Sequence, residues 1–306
     1  MFAYTKILIT SALRSLKAIF GYGQLGSTST TNVKNLVSNT GVVSADATGV
    51  GTSRQQLAAS SYGVDKAIFG YGFATTVESI TNLVSNTGVV SSNTTGVGTA
   101  RSSLAASCYG IDKAIFGYGS SLSGNTNITN LVSNTGVVAT DTAGVGEARL
   151  GLAAATYDND KVIFGYGGTP SGAVSTINRV SNTGVVASNV TASGTSRQGL
   201  AAASYGIDKA IFGYGSASAG ITSVTNLVSN TGVVSSDTTG VGTARSNLAA
   251  SSYGTGSAIF GYGATTGSAS TVVSMTNLVS NLGVVASDTT GVGSARIYLA
   301  ASGYGA

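Results

Sequence analysis

Residues 17–23 read KAIFGYG, and the chain writes them again at 66–72, 113–119, 161–167 (with Val162), 209–215 and 257–263 (with Ser257). Self-similarity at a period of about 48 residues is the mark of a repeat architecture. In such an architecture one unit cannot bury its apolar surface alone and must stack on copies of itself. The 306 residues therefore do not divide into ordinary domains by length. They read as a divergent leading segment, 1–16, followed by one repeat domain, 17–306.

Within the copy from Arg197 to Ala244, four strand-like pieces follow one another: LAAASYG (200–206), KAIFGYG (209–215), SVTNLVSN (223–230) and GVVSSDT (232–238). Each is about the length of an average strand, and YGIDK and SNTGV between them carry the Gly, Asn and Asp of tight turns. No segment holds a helical period. In the second piece, strict alternation predicts Ala210, Phe212 and Tyr214 on one face and Ile211, Gly213 and Gly215 on the other. Both faces are apolar or small, so both need a neighbouring sheet, and burying each Phe or Leu is worth roughly 2 kcal/mol. Sheets stacked face to face in a ring satisfy every copy equally. The expected fold is all-β: a six-bladed β-propeller of four-stranded antiparallel blades.

Six copies of R-x-x-L-A-A, starting at Arg54, Arg101, Arg149, Arg197, Arg245 and Arg296, match the six copies of KAIFGYG, but out of step. The chain starts at a second strand and ends on RIYLAASGYGA, a first strand with nothing after it. The C-terminal strand is therefore expected to join the N-terminal blade and close the ring, which removes the loose edges. A rival for that slot is TKILITS at 5–11.

Composition excludes several classes. Charged residues are 8% and hydrophobic residues 42%, too apolar for a disordered chain. The net charge of +4 comes from Lys and Arg at fixed repeat positions rather than from a basic run, so no nucleic-acid partner is expected. No stretch approaches a membrane span, and no membrane insertion is expected. One cysteine, Cys108, rules out an internal disulfide, and its place in the repeat is Ser or Thr in other copies, which reads as a small filler.

The order of Arg, small-apolar strand, strand ending Gly-Tyr-Gly and outer hairpin resembles kelch-type propeller repeats. Tyr22, Tyr71, Tyr118, Tyr166, Tyr214 and Tyr262 stand between the two glycines, and the kelch tryptophan is missing because the chain has no Trp. The phrases TNLVSNTGVV and TTGVGTAR resemble repeat proteins of uncultured marine tailed bacteriophages, over nearly the whole chain after residue 16. That resemblance implies a virion or tail-associated location, with a cytoplasmic one as the other case.

No enzymatic chemistry is expected. The chain has no His, which removes the commonest general base and metal ligand. No metal site and no cofactor is expected either, and GYG and GVG lack the helix that a phosphate cradle needs. Asp65, Asp112, Asp160 and Asp208 occupy one turn position and read as turn formers, whereas Asp46, Glu78, Asp141, Glu147, Asp237 and Asp288 read as scattered. Two features point to recognition. Arg54, Arg101, Arg149, Arg197, Arg245 and Arg296 should surround one mouth of the central channel, where guanidinium forks suit acidic ligands. Alternatively, each holds the ring together through a neighbour's carbonyls or carboxylate. The loop between strands two and three varies in every copy and should share that face, as binding loops on a rigid scaffold do. The expected function is a non-enzymatic, phage virion or tail-associated structural protein whose loop face binds a host surface glycan or another virion protein. The alternative is a cellular kelch-like interaction module that takes an acidic ligand at the arginines.

Overall fold

A computed structural model describes residues 17–27 and 29–305. The leading segment 1–16, and with it the rival strand at 5–11, lies outside the described residues. Among the described residues the chain is all-β, with one 3₁₀ turn at Ala269–Thr271 and no α-helix. Six main antiparallel sheets carry the repeats, and four two-stranded hairpins are attached to them.

Each main sheet uses the same pieces. In one, Ala201–Tyr205 pairs with Lys209–Gly213, which pairs with Thr225–Val228. The sheet nearest the N-terminus draws on both ends of the chain. Ala300–Tyr304 pairs with Lys17–Gly21 from Lys17↔Tyr304 to Gly21↔Ala300, and Lys34–Val37 lies on the other side.

The fourth strand expected in every sheet is corrected. Five of the main sheets have three strands, and only the sheet containing Thr176–Val180 gains a fourth, the two-residue Val190–Thr191. Elsewhere the fourth piece makes isolated bridges to the third strand, such as Val84↔Val90 and Thr81↔Thr94. Between those bridges the third strand holds residues 82 and 83 while the fourth piece holds 91, 92 and 93, so no regular ladder can run through. Side chains fill the gap. Buried Asn82 donates to the Ser91 carbonyl at 3.0 Å, and Ser91 Oγ accepts from the Leu83 amide at 3.0 Å. Short polar side chains that bond to nearby backbone displace the sheet ladder in this way.

The sheets stack through both faces of the KAIFGYG strand. Ala210 and Phe212 pack with Ile163 and Tyr166 of the preceding sheet, while Ile211 and Tyr214 pack with Ala258 and Phe260 of the next. Strict alternation put Tyr214 with Phe212, and the structure corrects this. Tyr214 has φ +64°, and its five equivalents have φ between +62° and +65°. A left-handed residue interrupts the pleat as a bulge does, turning the ring to the other face. Six core clusters each join two neighbouring sheets. The one joining Ala18 and Phe20 to Ile259 and Tyr262 returns the series to its start.

Backbone hydrogen bonds follow the same cycle. At one end Gln56 N donates to Tyr298 O at 2.8 Å, and Ser103 to Gln56, Gly151 to Ser103, Gly199 to Gly151, Asn247 to Gly199 and Tyr298 to Asn247 complete a closed belt. At the other end Gly305 donates to Asp65, Gly63 to Asp112, Gly110 to Asp160, Asp158 to Asp208 and Gly206 to Gly256.

Candidate binding face

The first strand of each sheet leaves the arginine end and the second returns to it. The variable loop therefore begins beside the segment that follows the arginine, as the bridges Gln55↔Phe73, Ser102↔Ser120, Leu150↔Gly168 and Gln198↔Ser216 show. Four loops are small hairpins: Gln24–Leu25 with Ser29–Thr30, Ser120–Ser121 with Gly124–Asn125, Gly168–Thr169 with Gly172–Ala173, and Ser216–Ala217 with Gly220–Ile221. One sheet instead lengthens its strands to Lys66–Phe73 and Val77–Val84, and one loop carries the 3₁₀ turn. All six variable loops lie at one end of the molecule, and Leu122 at a hairpin tip is 85% exposed.

The arginines are not part of that open surface. Arg54, Arg101, Arg149, Arg197, Arg245 and Arg296 are all fully buried, which corrects the expectation of a ligand-facing ring. Each guanidinium stacks over the Tyr of the preceding sheet, with Cζ 4.3–4.5 Å from the ring centroid. The same side chain then grips its own sheet. Arg101 Nε donates to the Tyr118 carbonyl at 2.9 Å, Nη1 to the Thr99 carbonyl at 3.0 Å and Nη2 to Asn130 Oδ1 at 2.7 Å. The Tyr71 hydroxyl donates to the Val97 carbonyl at 3.1 Å, and its ring meets Phe116 of the next sheet with centroids 5.1 Å apart. Burial pushes the Tyr71 phenol up to about 12, against the pull of Arg101. Each fork is stacked on a tyrosine and bonded into its own frame, completely at Arg101 and Arg197, whereas Arg54 and Arg149 leave Nη2, and Arg245 and Arg296 leave Nε, buried without a hydrogen-bond partner; the arginines join sheets.

The acids read as scattered are not scattered. Asp46, Asp141, Asp237 and Asp288 hold one position on the fourth piece. Each accepts from the buried Asn of its sheet and from the segment entering that sheet; Asp141 takes Thr99 Oγ1 at 2.6 Å and Asn130 Nδ2 at 2.9 Å. Burial disfavours their charge, but these hydrogen bonds and the adjacent arginine outweigh it and hold the carboxyls below the ordinary carboxylate range. Asn93 and Asn189 replace the acid in two copies. There Glu78 lies close enough to Arg54, and Glu147 to Arg149, to favour the guanidinium charge that burial opposes. The signal available in the sequence was the offset of 11 residues between the buried Asn and the acid.

A cavity of about 70 Å³ at mid-depth is lined by Ala, Ser and Thr of the first strands, with Gly303 and Cys108 among them. Cys108 Sγ donates to the Ile111 carbonyl at 3.3 Å. At the loop end a second hollow of about 90 Å³ has a floor of six leucines, among them Leu57 and Leu299, and a rim formed by the residues of the closed belt. At the opposite end Asp65, Asp112 and Asp208 pair with Lys66, Lys113 and Lys209, while Lys161 pairs with Asp158 rather than Asp160. Asp160 instead accepts from Asn182 Nδ2 at 3.1 Å. Among the described residues no three His, Cys, Asp or Glu side chains group as metal ligands, and no helix is long and apolar enough to cross a membrane. No family model matches the chain, and no curated protein matches it either.

Proposed function

We propose that the cycle of six sheets is a six-bladed β-propeller spanning 17–306, and that it is a non-enzymatic binding scaffold. Its working surface is the end carrying the six variable loops, presented to a host surface glycan or to another virion protein. The placement we favour is the particle of a tailed phage, in its tail region, as the sequence resemblance implies. The observation that carries the binding reading is the contrast between frame and loops. Strands and buried arginines repeat from sheet to sheet and the clasps repeat with an Asn for Asp exchange in two copies, while length and sequence differ most where the loops meet at one end. Function concentrates on such loops because a rigid frame holds them while leaving their sequences free.

A glycan array and a pull-down from purified particles test this together. Replacing residues 120–125 and 168–173 by Gly-Ser turns of equal length is expected to abolish binding with thermal unfolding unchanged. Binding that survives this replacement overturns the role of the loops. Mass spectrometry of purified particles tests the location, and absence of the chain's peptides there refutes it.

A further inference from the structure

We propose that the hollow at the loop end of the axis is a binding site for one neutral sugar residue, entered by the end of a glycan chain. The proposal deepens the reading above and rests on the loop end being the glycan-facing surface.

The rim consists of Tyr298, Gln56, Ser103, Gly151, Gly199 and Asn247, taken in order around the axis. All six hold left-handed φ between +54° and +62°. Their amides and carbonyls are consumed by one another in the closed belt. Recognition at this mouth therefore falls to side chains alone, and here the sixfold pattern breaks. The next residue is Leu in every copy, and the first-strand residues deeper in the channel are almost all Ala, Ser or Thr. The rim alone carries an aromatic ring, two amides, a hydroxyl and two bare glycines. Tyr298 is flanked on its two sides by Asn247 and Gln56, with Ser103 beyond, and the opposite arc is Gly151 and Gly199. The sequence hid Tyr298 because it lies inside the repeat phrase RIYLAA rather than in a variable loop.

The chemistry of this lining selects a ligand class. No charged side chain lines the hollow, so neither an anion nor a cation finds a partner. A wholly apolar ligand would leave the amides and the hydroxyl unpaired, which is costly. A neutral pyranose has an apolar C–H face for the tyrosine ring and the leucine floor, and hydroxyls at its edge for Gln56, Asn247 and Ser103. Pockets with an apolar body and a few polar groups work in this way. The channel below narrows to a cavity of about 70 Å³ between first strands, so a ring enters from the loop end and stops on the leucines.

The test titrates methyl glycosides of glucose, galactose, mannose and N-acetylglucosamine into ¹⁵N-labelled protein. Saturable shifts at the Gly151, Gly199 and Asn247 amides are expected with at least one of them. Two variants keep left-handed-tolerant residues at the rim: Tyr298→Asn, which copies Asn247, and Gly151→Asn, where an added Cβ meets nothing closer than 3.4 Å; Gly199 is left alone, because a Cβ there would stand 2.5 Å from Asn247 Oδ1. Both should melt as the wild type does and weaken binding by about tenfold or more. No saturable shift with any glycoside at millimolar concentration overturns the site, as does binding unchanged in both variants. If the glycan array stays positive and responds only to the loop replacement, the mouth is refuted while the loop-face function stands.

Discussion

At the scale of single residues, the organising fact is that every buried arginine has one acid in electrostatic reach, supplied from two different places. Asp46, Asp141, Asp237 and Asp288 serve Arg296, Arg101, Arg197 and Arg245, while Glu78 and Glu147 serve Arg54 and Arg149. A buried cation without an opposite charge is strongly disfavoured, and each copy with Asn at the aspartate position has a glutamate elsewhere in reach. Glu78→Gln is expected to lower stability by about 0.5–1 kcal/mol, a modest figure because Glu78 acts on Arg54 through its field and is itself partly open to solvent. Asn93→Asp added to that variant should restore it, because Thr52 can present its hydroxyl to the new carboxylate as Thr99 does to Asp141. Thermal unfolding of the single and double variants checks this; equal losses in both would mean that the two acids do not substitute for one another. The repeated aspartate could be read from its spacing to asparagine. The two glutamates could not, because they stand at non-equivalent positions and only folding brings them near an arginine.

At the scale of the element, KAIFGYG is a strand whose last three residues do a different job from its first four. Gly213 leaves a flat place on which Phe260 of the next sheet lies, and an added Cβ would stand 2.8 Å from Phe260 Cζ. Gly213→Ala is expected to cost about 1–3 kcal/mol through overpacking. Phe260→Leu in the same chain should cost less than the two separate losses added together, because the shorter side chain makes room. Chemical denaturation of the three variants measures that coupling, and strict additivity would mean that Gly213 and Phe260 do not meet. The small-to-large fit of one sheet on the next was legible in the sequence, because Gly and Phe recur at fixed places. The side taken by the tyrosine was not, because alternation assumes a pleat that a left-handed residue interrupts. Placing a tyrosine there is unfavourable by about 1–2 kcal/mol. The T-shaped contact with Phe260 offsets this, as does the stacked Arg245. The fourth strand was overread for a related reason: its residues are strand-like in type, but Asn and Ser side chains take the bonds that a ladder would use.

At the scale of the whole molecule, the repeat count, the stacking and the use of the tail were legible, because a first strand without a second at the C-terminus and a second without a first at the N-terminus have one economical solution. The mouth residues were not, since their shared left-handed conformation follows from the closed belt and leaves no compositional mark: Gln, Ser, Gly, Asn and Tyr all occupy it. The last segment bears on every level of this closure at once. Removing residues 294–306 deletes the strand paired with Lys17–Gly21, the guanidinium stacked on Tyr262, the Ser294–Asp46 clasp and one link of each backbone belt, at Tyr298 and at Gly305. It also leaves Lys17–Gly21 as an unpaired edge, which invites pairing between molecules. The truncated chain is expected to elute as oligomers or aggregate and to melt well below the full chain. A synthetic peptide of residues 294–306 should return part of the material to monomer by filling the empty slot. Light scattering after size exclusion, with and without the peptide, measures both effects. A truncated chain that remains monomeric and melts with the full-length protein would show that the sheets hold together without the join between the two ends.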